Sequence, residues 1–127
     1  MRMEATTAMT PLATNDEIPE RGHRFTYRDG PFDEEGVLLR LADGTVRAFK
    51  NECRHLPMRL DDREPAQLWD AEGRHLVCSS HGALYRPEDG LCVAGPCRGS
   101  HLKSLPIIVR DGQVFLDDTK LGGFFQV

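Results

Sequence analysis

No stretch of the chain approaches the roughly 20 consecutive apolar residues that a membrane-spanning helix needs, and the mean hydropathy is −0.44. A membrane partner is therefore not expected. The first residues, Met1-Arg2-Met3-Glu4-Ala5-Thr6-Thr7, have neither an apolar core nor paired arginines, so export is not expected and the cytoplasm is the expected compartment. A basic surplus is missing as well. The 16 Lys and Arg against 20 Asp and Glu leave a formal charge of −4, the wrong sign for a groove that neutralises phosphates, which argues against nucleic acid. Aromatics make up only 7%, no internal repeat is visible, and no segment carries a strong helical period. With 127 residues, 39% of them hydrophobic and 28% charged, the chain suits one domain with one modest core, and a two-domain enzyme is not expected.

What is present is a series of short apolar runs split by Asp-Gly pairs, the local signature of tight hairpins. Gly36-Val37-Leu38-Leu39-Arg40-Leu41, the turn Ala42-Asp43-Gly44 and Thr45-Val46-Arg47-Ala48-Phe49-Lys50 read as strand, turn and strand. A second hairpin is expected from Leu105 to Leu116 around Asp111-Gly112, with Pro106 at a strand start or edge. A third, shorter one would run from Leu68 through Gly73 to Val77 and deliver the chain to Cys78. Residues 1–22 show neither period and are expected to form a flexible N-terminal arm, with the domain proper at 23–127. Asp61-Asp62-Arg63-Glu64-Pro65 reads as a charged loop. The expected class is all-β.

Four cysteines in a reducing compartment are read as metal or redox ligands before disulfides. Two of them stand in mixed pairs, Cys53-Arg54-His55 and Cys78-Ser79-Ser80-His81, each where a strand gives way to a loop. Side by side, these loops offer two thiolates and two imidazoles, which makes a metal centre the economical reading. A mononuclear zinc takes that donor set, but zinc fingers usually group like ligands and keep at least two residues between pair members. The single residue in Cys53-x-His55 suits zinc poorly. A two-iron cluster in which each loop gives a Cys to one iron and a His to the other requires mixed pairs.

Together with Leu56, Gly82-Ala83-Leu84-Tyr85, Asp89-Gly90 and Gly95-Pro96, these pairs resemble the Rieske-type [2Fe–2S] iron–sulfur family, and the flanking hairpins extend the likeness over most of residues 23–117. The resemblance implies an antiparallel β-sandwich base carrying a small rubredoxin-like cluster-binding subdomain, here about 51–98. It implies that Cys53 and Cys78 hold the inner iron and that His55 and His81 hold the outer, more exposed one, with Leu56, Gly82, Tyr85, Gly95 and Pro96 around them. Neutral imidazoles in place of two thiolates ease reduction, to about −150 to +300 mV against about −400 mV for all-cysteine ferredoxins. Cytochrome-complex members carry an inter-loop disulfide and a serine donor. The matching positions here are Met58, Ser80 and Ala83, while the family's tyrosine is kept as Tyr85, which implies a potential toward the low end. Coupling of that potential to histidine deprotonation is expected to begin above neutral pH.

The resemblance further implies a soluble Rieske-type ferredoxin, not itself an enzyme, that carries one electron at a time between protein partners such as a flavin reductase and a terminal oxygenase or reductase. A second mononuclear iron site of the two-His, one-carboxylate kind has no room in these residues. Two alternatives stay open: a non-catalytic Rieske small subunit of a larger reductase complex resembling nitrite reductase, and a cluster-dependent sensor or interaction module. Cys92 and Cys97 are expected to be buried reduced thiols, with a local disulfide or an extra ligand as the alternatives. His23, His75 and His101 are expected at surface or strand positions. Leu56-Pro57-Met58 reads either as plain core or as an apolar rim for a transient partner. Beside it, Arg54 and Arg59 either favour an acidic partner or are simply solvated. The tail Leu121–Val127 is expected to pack on the base or on a neighbouring subunit, the oligomeric state being open.

Overall fold

The computed structural model describes residues 9–18, 22–54, 59–60, 68–78 and 82–121. Among them the chain forms β1 Met9–Thr14, β2 His23–Asp29, β3 Phe32–Arg40, β4 Val46–Lys50, β5 Leu76–Val77, β6 Leu84–Tyr85, β7 Cys92–Ala94, β8 Ile107–Arg110 and β9 Gln113–Asp117. Short 3₁₀ turns follow β1 and β9. The strands make three antiparallel sheets, β1-β9-β8, β2-β3-β4 and β5-β6-β7, so the all-β class expected from the Asp-Gly spacing is the one observed.

Besides the β2–β3 hairpin, paired from His23↔Leu38 to Asp29↔Phe32, the two long hairpins expected from the sequence fall where turn chemistry places them. At β8–β9, Asp111 and Gly112 both take positive φ, +53° and +76°, the backbone of a two-residue turn whose twist matches the strands it joins. At β3–β4, the Asp43 carboxylate accepts from the Thr45 backbone N–H at 3.0 Å and from its hydroxyl at 2.7 Å, which closes the turn through a side chain. The third expected hairpin also forms, with Trp69 bridging Leu76, Asp70 N–H donating to His75 O at 2.9 Å and Val77 N–H to Leu68 O at 2.7 Å, while β6 pairs with the other edge of β5.

The β2-β3-β4 sheet lies in the middle of the molecule. On one face Val37, Leu39 and Phe49 pack with Cys53, Leu76, Cys78 and Tyr85. On the other, Leu38, Val46 and Ala48 pack with Ile18, Tyr27, Leu105, Val114 and Leu116. A strand covered on both sides has no polar face, which is why Val37-Leu38-Leu39 is a continuous apolar run rather than an alternation. The segment leading to β8 runs beside β4, with Lys50 N–H donating to Lys103 O and Leu105 N–H to Ala48 O at 2.8 and 2.9 Å. This ties the segment entering the β1-β9-β8 sheet to the edge of the middle sheet.

The N-terminal expectation needs correction. Within the expected arm, residues 9–14 form an edge strand paired with β9 from Met9↔Asp117 to Thr14↔Gln113, and Ile18 is a core residue at 1% exposure. A register shift between Pro11 and Ala13 breaks the period of two that would have marked the strand. Its partner also lies about a hundred residues away, so no local signal reports it. Residues 1–8 and 19–21 of the arm, and the charged loop Asp61–Pro65, fall outside the described residues.

Candidate metal centre

The first cysteine loop leaves the end of β4 and is closed at its neck by Asn51. This side chain is buried, its backbone N–H donates to Glu35 O at 2.8 Å, and its Oδ1 accepts from the Leu60 N–H at 2.9 Å. Asn51 and Leu60, nine positions apart, are thereby held side by side. Cys53 sits inside that loop with 3% exposure, its thiol in the core shared by the middle sheet and the small sheet. Arg59 at the far end reaches back to Glu35, Nη1 to Oε2 3.3 Å, so it pairs within the molecule. Arg54 is exposed.

The second loop leaves β5 at Cys78, which is fully buried in the same core. Cys78 N–H donates to Ala83 O at 2.9 Å, and Gly82 N–H donates to Cys78 O at 2.8 Å. Cys78 is thereby tied to Gly82 and Ala83. Both histidines of the expected ligand set, His55 and His81, lie outside the described residues, as do Leu56, Pro57 and Met58. Among the described residues no three metal-ligating side chains come together.

Tyr85 joins the elements of the site. It is fully buried, its hydroxyl lies 3.5 Å from Cys53 Sγ and 3.0 Å from Cys97 Sγ, and it accepts from the Arg54 N–H at 3.1 Å. Burial, and then the contacts with Cys97 and Cys53, hold its phenol far above the ordinary value, so the hydroxyl keeps its proton. A protonated phenol facing a thiolate donates to it.

The third loop packs onto the second. Gly95 takes φ +104°, and a Cβ there would stand 2.8 Å from Ala83 Cα, so only glycine fits where the two backbones meet. Pro96 follows, exposed. Gly82 also has positive φ, but a Cβ on it would meet nothing; its glycine answers conformation, not space. Cys92 and Cys97 are thiols, Cys92 buried and Cys97 half-buried rather than buried as expected, with their sulfurs 3.3 Å apart. Cys92 also donates to Ala94 O at 3.2 Å. Its thiol is pushed up to about 11, by burial first and then by the bond with Cys97.

The remaining histidines have ordinary surroundings. His23 lies in β2 opposite Leu38, His75 Nδ1 is 3.5 Å from Asp70 Oδ2, and exposed His101 bridges Leu91. A groove of about 820 Å³ is lined by Arg40, Trp69, Asp70, Arg74, His75 and Arg86 among others, and none of the four cysteines lines it. Leu121 packs on the sandwich core; the two aromatics of the tail, expected to pack on the base or a neighbouring subunit, fall outside the described residues. Sequence reasoning missed Asn51. An Asn after a strand reads equally as a turn former, and only the Leu60 contact reveals a clamp.

Two buried thiols, with a protonated hydroxyl 3.5 Å from one of them, suit an iron–sulfur cluster: the sulfur donors are dry, and a hydrogen-bond donor stands within reach of added negative charge. The chain belongs to the Rieske [2Fe-2S] domain family, whose model matches residues 8–108, and the cofactor of this domain is a [2Fe–2S] cluster. Among curated proteins it is 30% identical to the glycine betaine monooxygenase oxygenase subunit of Pseudomonas aeruginosa over 107 residues, 79% of this chain and 23% of that one. It is 25% identical to the oxidoreductase NdmD of Pseudomonas putida over 83% of this chain and 18% of that one. The chain thus spans about a quarter or less of the length of these relatives. Among solved structures, dicamba monooxygenase shares 26% identity with a TM-score of 0.64 over 87% of this chain and 32% of its own. The ferredoxin of carbazole 1,9a-dioxygenase from Nocardioides aromaticivorans IC177 shares the fold, at 24% identity and a TM-score of 0.61 over 84% of this chain and 96% of its own. The domain is therefore related to components of oxygenase systems.

Proposed function

We propose that this Rieske domain acts as a ferredoxin, receiving single electrons from a flavin reductase and delivering them to a terminal oxygenase or reductase. The observation that carries this reading is the burial of Cys53 and Cys78 in one core, each at the mouth of a loop whose ends are fixed by hydrogen bonds. Cys53 and Cys78 would hold one iron and His55 and His81 the other. Such a cluster supplies one-electron chemistry and nothing more, so the chain's own residues have three tasks. The loops keep the ligands at fixed spacing, which limits reorganisation between the two oxidation states. The dry core around the cysteines excludes water from the sulfur side. Tyr85 stabilises the more negative state by donating its proton toward Cys53 Sγ. The cytoplasm is the proposed compartment; among the described residues no helix is long and apolar enough to cross a membrane.

The test is a visible and low-temperature EPR spectrum of anaerobically purified protein, before and after dithionite, with iron and sulfide counted. Two irons and two sulfides per chain with a reduced signal of low average g support the cluster, and its loss in both His55→Cys and His81→Cys supports the ligand set. A colourless protein with one zinc would overturn both. Rapid mixing with a reduced flavin reductase then tests the role. Electron transfer within the turnover time of an oxygenase supports a carrier, whereas cluster oxidation state altering partner binding without transfer favours a sensor.

A further inference from the structure

We infer that Cys92 and Cys97 form a dithiol site that closes to an intramolecular disulfide on reaction with a low-molecular-weight disulfide. The sulfurs stand 3.3 Å apart and need only close to the roughly 2.05 Å of a bond. The backbone holds them there. Cys92 N–H donates to Ser100 O at 2.7 Å and Gly99 N–H to Cys92 O at 2.9 Å, which ties the ends of the loop together. Ser100 fixes Cys97 from below, donating to its carbonyl from both N–H, at 3.0 Å, and Oγ, at 2.6 Å. The turn through Gly95 and Pro96 then folds Cys97 back over Cys92, against the second cluster loop at Ala83.

Exposure sets the order of events. Cys92 is 1% exposed, whereas Cys97 is half-buried and within reach of a small reagent. Cys97 loses its proton and attacks one sulfur of RS–SR, forming Cys97–S–SR and releasing RS⁻, which takes up a proton. Cys92 then loses its proton, its sulfur displaces the second RS⁻ from Cys97, and that thiolate is protonated in turn. Two protein thiols are oxidised to one disulfide while RSSR is reduced to two RSH.

The site touches the metal centre through one atom. The Tyr85 hydroxyl has a single proton and two sulfur neighbours, Cys97 at 3.0 Å and Cys53 at 3.5 Å. In the proposal, the Cys97 sulfur, once bonded to Cys92, no longer competes with Cys53 for the phenol proton. If Cys53 is a cluster ligand, as proposed above, the disulfide raises the reduction potential, because a stronger donor at a ligand sulfur favours the more negative state.

The holoprotein would be treated anaerobically with oxidised glutathione, alkylated, and cleaved on the amino side of aspartate. The fragment Asp89–Arg110 contains Cys92 and Cys97 and no other cysteine. Recovery of this fragment unalkylated and lighter by two hydrogens supports the site. So does a Cys92→Ser variant in which Cys97 is trapped as the mixed disulfide with glutathione. Alkylation of both cysteines, or separate glutathione adducts on each, would overturn it. Potentiometry of the dithiol and disulfide forms tests the coupling: a rise in the wild type that is absent in Tyr85→Phe supports it, and equal wild-type potentials overturn it. The mass readout does not depend on the cluster, so a failure of the dithiol and a failure of the proposed ligand set are told apart.

Discussion

Asn51 and Asp89 are single polar side chains that each fix a loop, and their environments lead to opposite expectations. The Asn51 amide is buried and satisfies the Leu60 N–H. Asn51→Ala strands that donor in the core, at a cost of about 1–3 kcal/mol. A lower urea midpoint and faster loss of the visible absorbance are the expected results; an unchanged midpoint would mean that water replaces the amide and the clamp is dispensable. Asp89 is exposed. The Arg86 guanidinium first, and then the Leu91 N–H, hold its carboxyl down at about 2 from 3.8. A depressed carboxylate stabilises the fold above its unfolded value, and that contribution is lost as pH falls from about 4 through about 2. Solvent keeps it small. An NMR titration of the Asp89 carboxyl should show its midpoint near 2, and a midpoint near 4 would show that the pair does not persist in solution.

Strand β1 separates an arm from a structural element. Its pairing covers β9, and Ile18 fills the sandwich beside Val114 and Leu116. Ile18→Ala is expected to destabilise by about 2–5 kcal/mol, the usual cost of emptying a core site. Deleting residues 1–14 should also uncover the β9 edge and promote association. Denaturant unfolding and light scattering check both, and full tolerance of the two changes would restore the picture of a flexible arm. The β3–β4 and β8–β9 hairpins were legible because Asp-Gly turns and apolar runs are local signals. Strand β1 was not, since a bulge hides its period and its partner comes from the other end of the chain. The third hairpin was legible in the same way, but the pairing of β6 with the other edge of β5 was not.

At the scale of the molecule, the three-layer arrangement determines how the cluster site is polarised. The middle sheet presents Val37, Leu39 and Phe49 to the site, so its sulfur side is apolar. Among the described residues the hydroxyl donor there is Tyr85, while Ala83, fully buried, offers none. With one donor in place of two, the midpoint potential is expected toward the low end of the Rieske range, below about +200 mV. Redox titration followed by EPR checks this. A higher value would mean that donors other than these set the potential.

The sequence by itself determined the class and the cofactor. Mixed Cys/His pairs at those spacings are a local chemical requirement of the two-iron cluster, and Asp-Gly punctuation is a local requirement of hairpins. Tertiary structure decided what depends on contacts between distant segments: the pairing of β1 with β9, the Asn51 clamp on Leu60, and the meeting of Tyr85 with both Cys53 and Cys97. Those contacts join residues from 9 to 108 positions apart, and their energies arise only when packing excludes water from both partners. No pattern confined to neighbouring residues encodes them.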